Sequence, residues 1–304
     1  MTPLLPAHSP VPPGPAGYRR PADLAGVLGC LAQGGWTVLA GGTDFYPAHV
    51  GRPVLQPLLD ISGVTRLRGV ARASGPAGQP GLRIGSLTTW SDLVRGDLPA
   101  SLFALVQAAR EIGGVQIQNQ ATVGGNLCNA SPAADGVPAL LALDAQVELA
   151  SLAGERVLPL ADFVLGNRKT ARRADELLTA VWLPLRSPHA WSRFLKLGHR
   201  RYLVISIAMV AVALDFDQHD RLSSCGIAVG ACAAVARRLP LLEAGLLTMP
   251  RRALPARTEA LLGAGALNGL APISDVRGSA DFRRVAAGEL IRRAIGEAAA
   301  HEQA

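Results

Sequence analysis

Two glycine pairs constrain this chain more than any other feature: Gly41-Gly42 in the run Ala40-Gly41-Gly42-Thr43-Asp44, and Gly124-Gly125 in Thr122-Val123-Gly124-Gly125-Asn126. Each run follows apolar or β-branched residues and ends in small polar side chains. Glycine lacks a Cβ, accepts positive φ and lets backbone N–H groups crowd around an anion without steric cost. Thr43 and Thr122 add hydroxyl donors and Asn126 an amide donor. The two runs therefore read as halves of one cradle for a diphosphate, built with few cationic side chains. Either run alone reads first as an ordinary tight turn, and it is the two together that point to a cradle. The second is followed by Cys128-Asn129-Ala130-Ser131-Pro132-Ala133-Ala134-Asp135, which adds a hydroxyl, a proline turn and a carboxylate. Asp135 is placed either to bind ribose hydroxyls or a ring edge, or to cap a helix over residues 137–143.

The chain of 304 residues is long enough for two domains with real cores. The proline-rich opening has little to bury and reads as a flexible or extended arm over residues 1–17. Leu24, Val27, Leu28 and Leu31 fall at helical spacing after Pro21, and Trp36-Thr37-Val38-Leu39 reads as a short strand feeding the first glycine run. Residues 55–61 and 82–84 suggest further strands, and Thr89-Trp90-Ser91-Asp92 has capping-box spacing. Leu102, Leu105, Val106, Ala109 and Ile112 form one apolar helical face. Val147 and Leu149 alternate before Ala153-Gly154-Glu155, a hairpin turn, and residues 177–183 alternate up to Pro184. A boundary falls at residues 185–190. Beyond it, strands over 192–197, 207–216 and 225–231 and helices around 257–262 and 282–295 spell a smaller α+β domain.

Composition removes several function classes. The 30 basic residues outnumber 23 acidic ones, but they scatter as pairs such as Arg172-Arg173, Arg237-Arg238 and Arg292-Arg293. Aromatics make up only 4% of the chain, too few for a base-stacking stripe, so no nucleic-acid partner is expected. Cys30, Cys128, Cys225 and Cys232 show neither C-x-x-C spacing nor a nearby histidine, and the six histidines are dispersed, so this chain builds no metal or iron–sulfur site of its own. The apolar run 203–214 is short and broken by Ser206, and the N-terminus lacks a signal pattern. No transmembrane segment and a cytoplasmic location are expected. The run Gly263-Ala264-Gly265-Ala266-Leu267-Asn268-Gly269 is a near miss of a nicotinamide fingerprint, with the wrong spacing and a helix-like stretch where a strand belongs.

The ordered segments VLAGGTDFYP, LRIGSLTTWSDL, QNQATVGGNLCNASPAADGVPALLALDAQVEL, DELLTAVWLP, FLKLGHRRYLVISIAMVAVAL and DVRGSADFRRVAAGELIRRAI resemble the FAD-binding (medium) subunit of the molybdenum hydroxylases. That group contains xanthine dehydrogenase, carbon monoxide dehydrogenase and aldehyde oxidoreductases. The resemblance covers nearly everything except the proline-rich arm. It implies an α+β chain: a two-part FAD-binding domain of the vanillyl-alcohol-oxidase (PCMH) type over 18–186, with subdomains 18–62 and 63–186. A smaller α+β domain of the CO dehydrogenase flavoprotein type follows over 190–298, with a three-stranded antiparallel sheet and helices.

By the same resemblance Val38, Leu39, Ala40, Gly41, Gly42, Thr43, Asp44 and Phe45 form the first FAD loop, and Thr122, Val123, Gly124, Gly125 and Asn126 the second, with the pyrophosphate between them. Ile112, Asp135, Leu178 and Lys196 fall where the family places further flavin contacts. Ile112 and Leu178 read equally well as plain core. Ile112 also stands where vertebrate xanthine dehydrogenases have an aromatic residue, so ring stacking is lost there. Lys196 lies in an alternating, half-buried strand, where an ammonium needs a ligand or a carboxylate partner, unless it joins a surface salt bridge.

The function implied is electron relay. A large subunit holds the molybdenum cofactor, a small subunit holds two-iron two-sulfur clusters, and FAD in this chain passes electrons to NAD, a quinone or oxygen. No acid, base or nucleophile of this chain is expected to be catalytic. The alternative is a non-enzymatic scaffold or maturation protein that keeps the fold without flavin.

Overall fold

The computed structural model describes residues 17–301, so the expected arm lies outside the described residues except for Gly17. The chain opens with a small parallel sheet in which Leu58–Asp60 lies between Tyr18–Arg19 and Thr37–Leu39. Pro57 has no N–H to give a ladder, which explains why this middle strand starts three residues later than the alternation suggests. Helix Leu24–Gln33, capped by Asp23 accepting from the Gly26 amide at 2.8 Å, buries Val27, Leu28 and Leu31 in a small core with Leu59, Ile61 and Val64.

A five-stranded antiparallel sheet follows, in the order Val70–Ser74, Pro80–Gly85, Leu177–Pro184, Gln146–Ser151, Gly154–Pro159. The last two form the expected hairpin around Ala153. The central strand, Leu177–Pro184, arrives only after a run of helices, and its register slips between Leu178 and Ala180. Such a bulge re-aims neighbouring side chains. The intervening helices are Trp90–Arg95, with its capping box of Thr89 and Asp92 in place, then Phe103–Glu111, Val115–Gln120, Val123–Asn129 and Gly136–Ala142.

The C-terminal sheet contains the three expected strands, observed at Trp191–Leu197, Ala208–Phe216 and Leu222–Gly230, and a two-residue edge strand, Arg237–Arg238, joins them as a fourth. Successive side chains of a strand point to opposite faces, and here both faces are dry. Met209, Ala211, Ala213 and Ala228 join the main core with the helices Phe103–Glu111 and Gly136–Ala142. Val210, Val212, Leu214, Ile227 and Val229 pack instead under the helix Pro240–Leu246 and the long helix Ala280–Ala300. The sheet thereby backs the two helices that flank residues 112–135. Among the described residues, no helix is long and apolar enough to cross a membrane, and no group of three metal-ligating side chains gathers.

Candidate cofactor site

Strand Thr37–Leu39 delivers the chain into the first glycine run, and the short helix Phe45–Ala48 takes it away. Gly42 has φ +71°, a left-handed conformation that favours glycine, and a Cβ there would meet the Tyr46 ring at 2.7 Å. Gly41 is needed for a different reason. A Cβ at that position would overlap the Gln120 carbonyl oxygen and approach the Ala121 Cα to 3.2 Å. The first run is thus seated directly on the peptide that leads into Thr122. The N–H groups of Ala40, Gly41, Gly42 and Thr43 donate to no protein group among the described residues, and the run lines a cleft. Polar hydrogens held beside a cleft are what an anion requires.

The second run corrects the expectation. It is not a turn but the start of helix Val123–Asn129, and neither Gly124 nor Gly125 has positive φ. Its amides are already engaged: Val123 donates to the Thr88 carbonyl at 2.9 Å, Gly124 to Ser86 at 2.8 Å, Gly125 to Thr122 Oγ1 at 3.0 Å and Asn126 to the Thr122 carbonyl at 3.0 Å. The first amides of a helix need outside partners, and here an N-cap threonine and two neighbouring carbonyls satisfy them. A bare second nest of N–H groups therefore does not exist. What this helix offers the cleft is the Thr122 hydroxyl, the Asn126 side chain and a face with no side chain at Gly125. Val123 turns away into the core, fully buried, and is not part of the lining.

Both runs border one cleft of about 930 Å³, within the size range of pockets that hold extended organic ligands. All eight residues of the first run, Val38 through Phe45, line it, as do Thr122, Gly124, Gly125, Asn126, Ile112, Asp135 and Leu178. Ile112 closes the C-terminal end of helix Phe103–Glu111, and Leu178 is brought to the cleft together with Leu177 beside the bulge in its strand. Sequence reasoning missed Gly113, Gly114 and Ile117, the His49–Gln56 pair, Arg168, Arg172 and residues 203–205, all of which line the cleft. The Gly113-Gly114 pair was a signal that pointed there; Arg172 was hidden among the scattered arginine pairs.

Lys196 is the second correction. Its side chain is 6% exposed and lines the neighbouring hollow instead of the cleft, because Nζ turns to Asp135 Oδ2 at 2.7 Å and the Glu111 carbonyl at 3.3 Å. The carboxylate partner anticipated for this lysine is therefore Asp135. Asp135 also accepts from Ser206 Oγ at 2.6 Å, and its side chain makes no helix-capping bond. Burial pushes the Asp135 carboxyl above its ordinary range, while the Lys196 charge and the hydrogen bonds from Lys196 and Ser206 pull the other way. The pair ties the C-terminal sheet to the cleft wall. Cys128, also in the lining, is pushed by burial up to about 11, so it remains an unreactive thiol.

The donor set fits FAD. Unpaired amides at residues 40–43 suit an anionic linker, and the apolar wall of Val38, Ile112, Ile117 and Leu178 suits a fused ring. Ser86 Oγ and Asn126 Oδ1, on two lining residues, are buried with no partner of their own.

Comparison with known proteins agrees with this chemistry. The family description "FAD binding domain in molybdopterin dehydrogenase" matches residues 14–186, and "CO dehydrogenase flavoprotein C-terminal domain" matches residues 193–298. The chain is similar to the nicotine 6-hydroxylase medium subunit of Paenarthrobacter nicotinovorans, at 34% identity over 86% of this chain and 89% of the relative. It is similar also to the putative xanthine dehydrogenase FAD-binding subunit of Escherichia coli K12, at 32% identity over 94% and 96% of the two chains. Among solved structures, the reconstituted CO dehydrogenase from Oligotropha carboxidovorans superimposes with a TM-score of 0.84 at 28% identity, covering 95% of this chain and 99% of that one. With one family match spanning more than half of its length and curated relatives that align almost end to end, the chain belongs to the FAD-binding medium subunits of the molybdopterin dehydrogenases, a family of flavoprotein oxidoreductase subunits.

Proposed function

We propose that FAD lies in this cleft with its diphosphate against the amides of residues 40–43 and against Thr122 and Asn126. Its ring system then lies toward Ile112, Leu178 and Asp135. Within a complex, the chain takes electrons from two-iron two-sulfur clusters on a small subunit, downstream of a large subunit carrying the molybdenum cofactor, and delivers them to NAD, a quinone or oxygen in the cytoplasm. FAD, when bound, supplies the redox chemistry, because a flavin accepts electrons singly and yields them as a pair. The protein binds and orients: the amides of residues 40–43 neutralise the anion, Thr122 and Asn126 add polar contacts, and the apolar wall excludes water. Residues 18–186 form the flavin-holding domain and residues 190–298 its buttress, joined through the Lys196–Asp135 pair.

The observation that carries this reading is the seating of Gly41 on Gln120, which leaves four unpaired amides along the cleft. The printed names of the relatives, a nicotine hydroxylase medium subunit and a xanthine dehydrogenase FAD-binding subunit, support the same role. The purified protein is expected to be yellow, with flavin absorbance and close to one FAD per chain. Gly125→Asp brings a carboxylate to the cleft face and should remove most of that FAD. A colourless wild-type preparation would favour a scaffold without flavin, and unchanged FAD content in the variant would overturn the placement of the second run.

A further inference from the structure

Among the described residues, Arg168 and Arg172 are the only arginine or lysine side chains lining the cleft, and neither meets a carboxylate within ion-pair distance. Of the two carboxylates in the lining, Asp135 holds Lys196 at 2.7 Å and Asp44 is exposed. The His49 ring bonds to the Phe45 carbonyl at 2.7 Å and to Gln56 at 2.9 Å. Arg168 sits at the tip of the hairpin between strands Val164–Gly166 and Lys169–Thr170, with φ +55°. Glycine or asparagine ordinarily fills such a turn position, because a larger side chain is strained there. The Arg168 amide is pinned to the Asn129 carbonyl at 3.1 Å, and its side chain stays exposed along the cleft. Strain of this kind persists where the side chain serves another purpose.

Arg172 is half-buried. It donates to the carbonyls of Arg173 at 3.0 Å and Glu176 at 2.6 Å, which holds it just ahead of Leu177 and Leu178 without cancelling its charge. That charge acts on the Cys128 thiol, against the effect of burial. Arg168 through Asn129 and Arg172 beside Cys128 thus both belong to the far end of helix Val123–Asn129, roughly 10 Å from its Thr122 cap at about 1.5 Å per residue. The two guanidinium groups stand by Leu178 and the approach to Asp135, where the ring system is placed, and away from the diphosphate.

An oxidised isoalloxazine is neutral, but after taking two electrons and one proton it carries a negative charge on its N1–C2 edge. A charge held in a cleft with apolar walls needs a counter-charge, and Lys196 is already spent on Asp135. We infer that Arg168 and Arg172 set the reduction potential of the bound flavin, by holding their positive charge against that edge. Charge near N1 is one of the means by which a protein tunes a flavin. The inference rests on the proposed function, which supplies both the ring and its place. The step balances as FAD + 2 e− + H+ giving FADH−, with the proton on N5, N1 left bare, and the electrons drawn from the iron–sulfur clusters of the small subunit.

The test is an anaerobic redox titration of the full-length chain carrying FAD, with dithionite as reductant and dyes as mediators, read from the flavin absorbance at several pH values. The wild-type midpoint should fall by about 30 mV per pH unit from about pH 6 to about pH 8, the slope for one proton taken with two electrons. Arg168→Asn suits the turn, so it should melt no lower than the wild type and keep its FAD. Its midpoint should nevertheless drop by about 30 mV, a tenfold weaker hold on the reduced form, the order expected for one charge-assisted hydrogen bond. Its slope should steepen toward about 60 mV per unit at the acid end, as N1 also takes a proton. Arg172→Gln should lower the midpoint in the same way, and Arg168→Lys and Arg172→Lys should restore most of it by keeping the charge. Arg168→Asn decides the matter if Arg172→Gln does not fold. Two results overturn the inference: variants that keep FAD with wild-type midpoint and slope, or variants that release FAD while the flavin still bound keeps the wild-type midpoint, which would put these groups on the diphosphate. Wild-type protein that takes up no FAD overturns the proposed function, and the inference with it.

Discussion

The backbone of Gly41 is packed against the carbonyl of Gln120, so closely that no side chain fits between them. Two stretches far apart in sequence are thereby fixed as the two edges of one cleft. Gly41→Ala should force the edges apart and cost about 1–3 kcal/mol or more, the range for overpacking a close contact. The urea midpoint and the FAD-to-protein ratio should fall together. Gly29→Ala is the matched control, because a Cβ there meets nothing within 4 Å. In the helix interior it should add roughly 0.5–1 kcal/mol and leave FAD content alone.

The Lys196–Asp135 pair, with side chains 6% and 8% exposed, should show the asymmetry of buried ion pairs. Lys196→Met leaves a buried carboxylate without its cation and is expected to cost about 3–5 kcal/mol, whereas Lys196→Met combined with Asp135→Leu should recover much of that loss. Chemical denaturation of the wild type, both single variants and the double variant measures the coupling directly. Simple additivity of the two single losses would contradict a direct pair.

Glu176 gives a pH-dependent prediction. Its carboxylate accepts from Arg156 at 2.6 Å and 2.9 Å and from the Arg173 amide at 2.6 Å, just ahead of Leu177 and Leu178 in the cleft wall. The Arg156 hydrogen bond holds the carboxyl below its ordinary value of 4.5, against the opposing effect of burial. A lowered carboxyl contributes stability that is present above the unfolded-state value and disappears as pH falls through the folded-state value. Glu176→Gln should therefore lower stability at pH 7 by about 1–3 kcal/mol. Thermal melts of the two proteins should begin to converge as pH falls below the ordinary glutamate range and should meet only below the lowered folded-state value.

Thr122→Val removes the acceptor for the Gly125 amide while nearly preserving shape. A loss of about 1 kcal/mol is expected for a missing N-cap, with weaker FAD retention because Thr122 also lines the cleft. Thr122→Ser should restore both, as read by melting and by flavin released on dilution.

Much of this arrangement was legible before the structure, and the parts that were not share a cause. Apolar spacing placed the helix at Leu24, the capping box at Thr89 and the hairpin at Ala153, because each is decided by neighbours in sequence. The glycines of the first run were read for freedom of φ. Gly42 uses that freedom, but Gly41 is required by contact with a peptide some eighty residues away, which sequence spacing does not reveal. The second run was misread as a turn because the carbonyls of Ser86 and Thr88, which saturate its amides, come from another part of the chain. Lys196 was recognised as needing a partner, yet only the fold brings Asp135 and Ser206 to it.

The most direct test of the central claim is a crystal structure of the FAD-loaded protein, read at the diphosphate. The account predicts phosphate oxygens within about 3.2 Å of the amides of Gly41, Gly42 and Thr43, with the side chains of Thr122 or Asn126 on the opposite edge. A diphosphate bound elsewhere, with the residue 40–43 amides left to water, would contradict it.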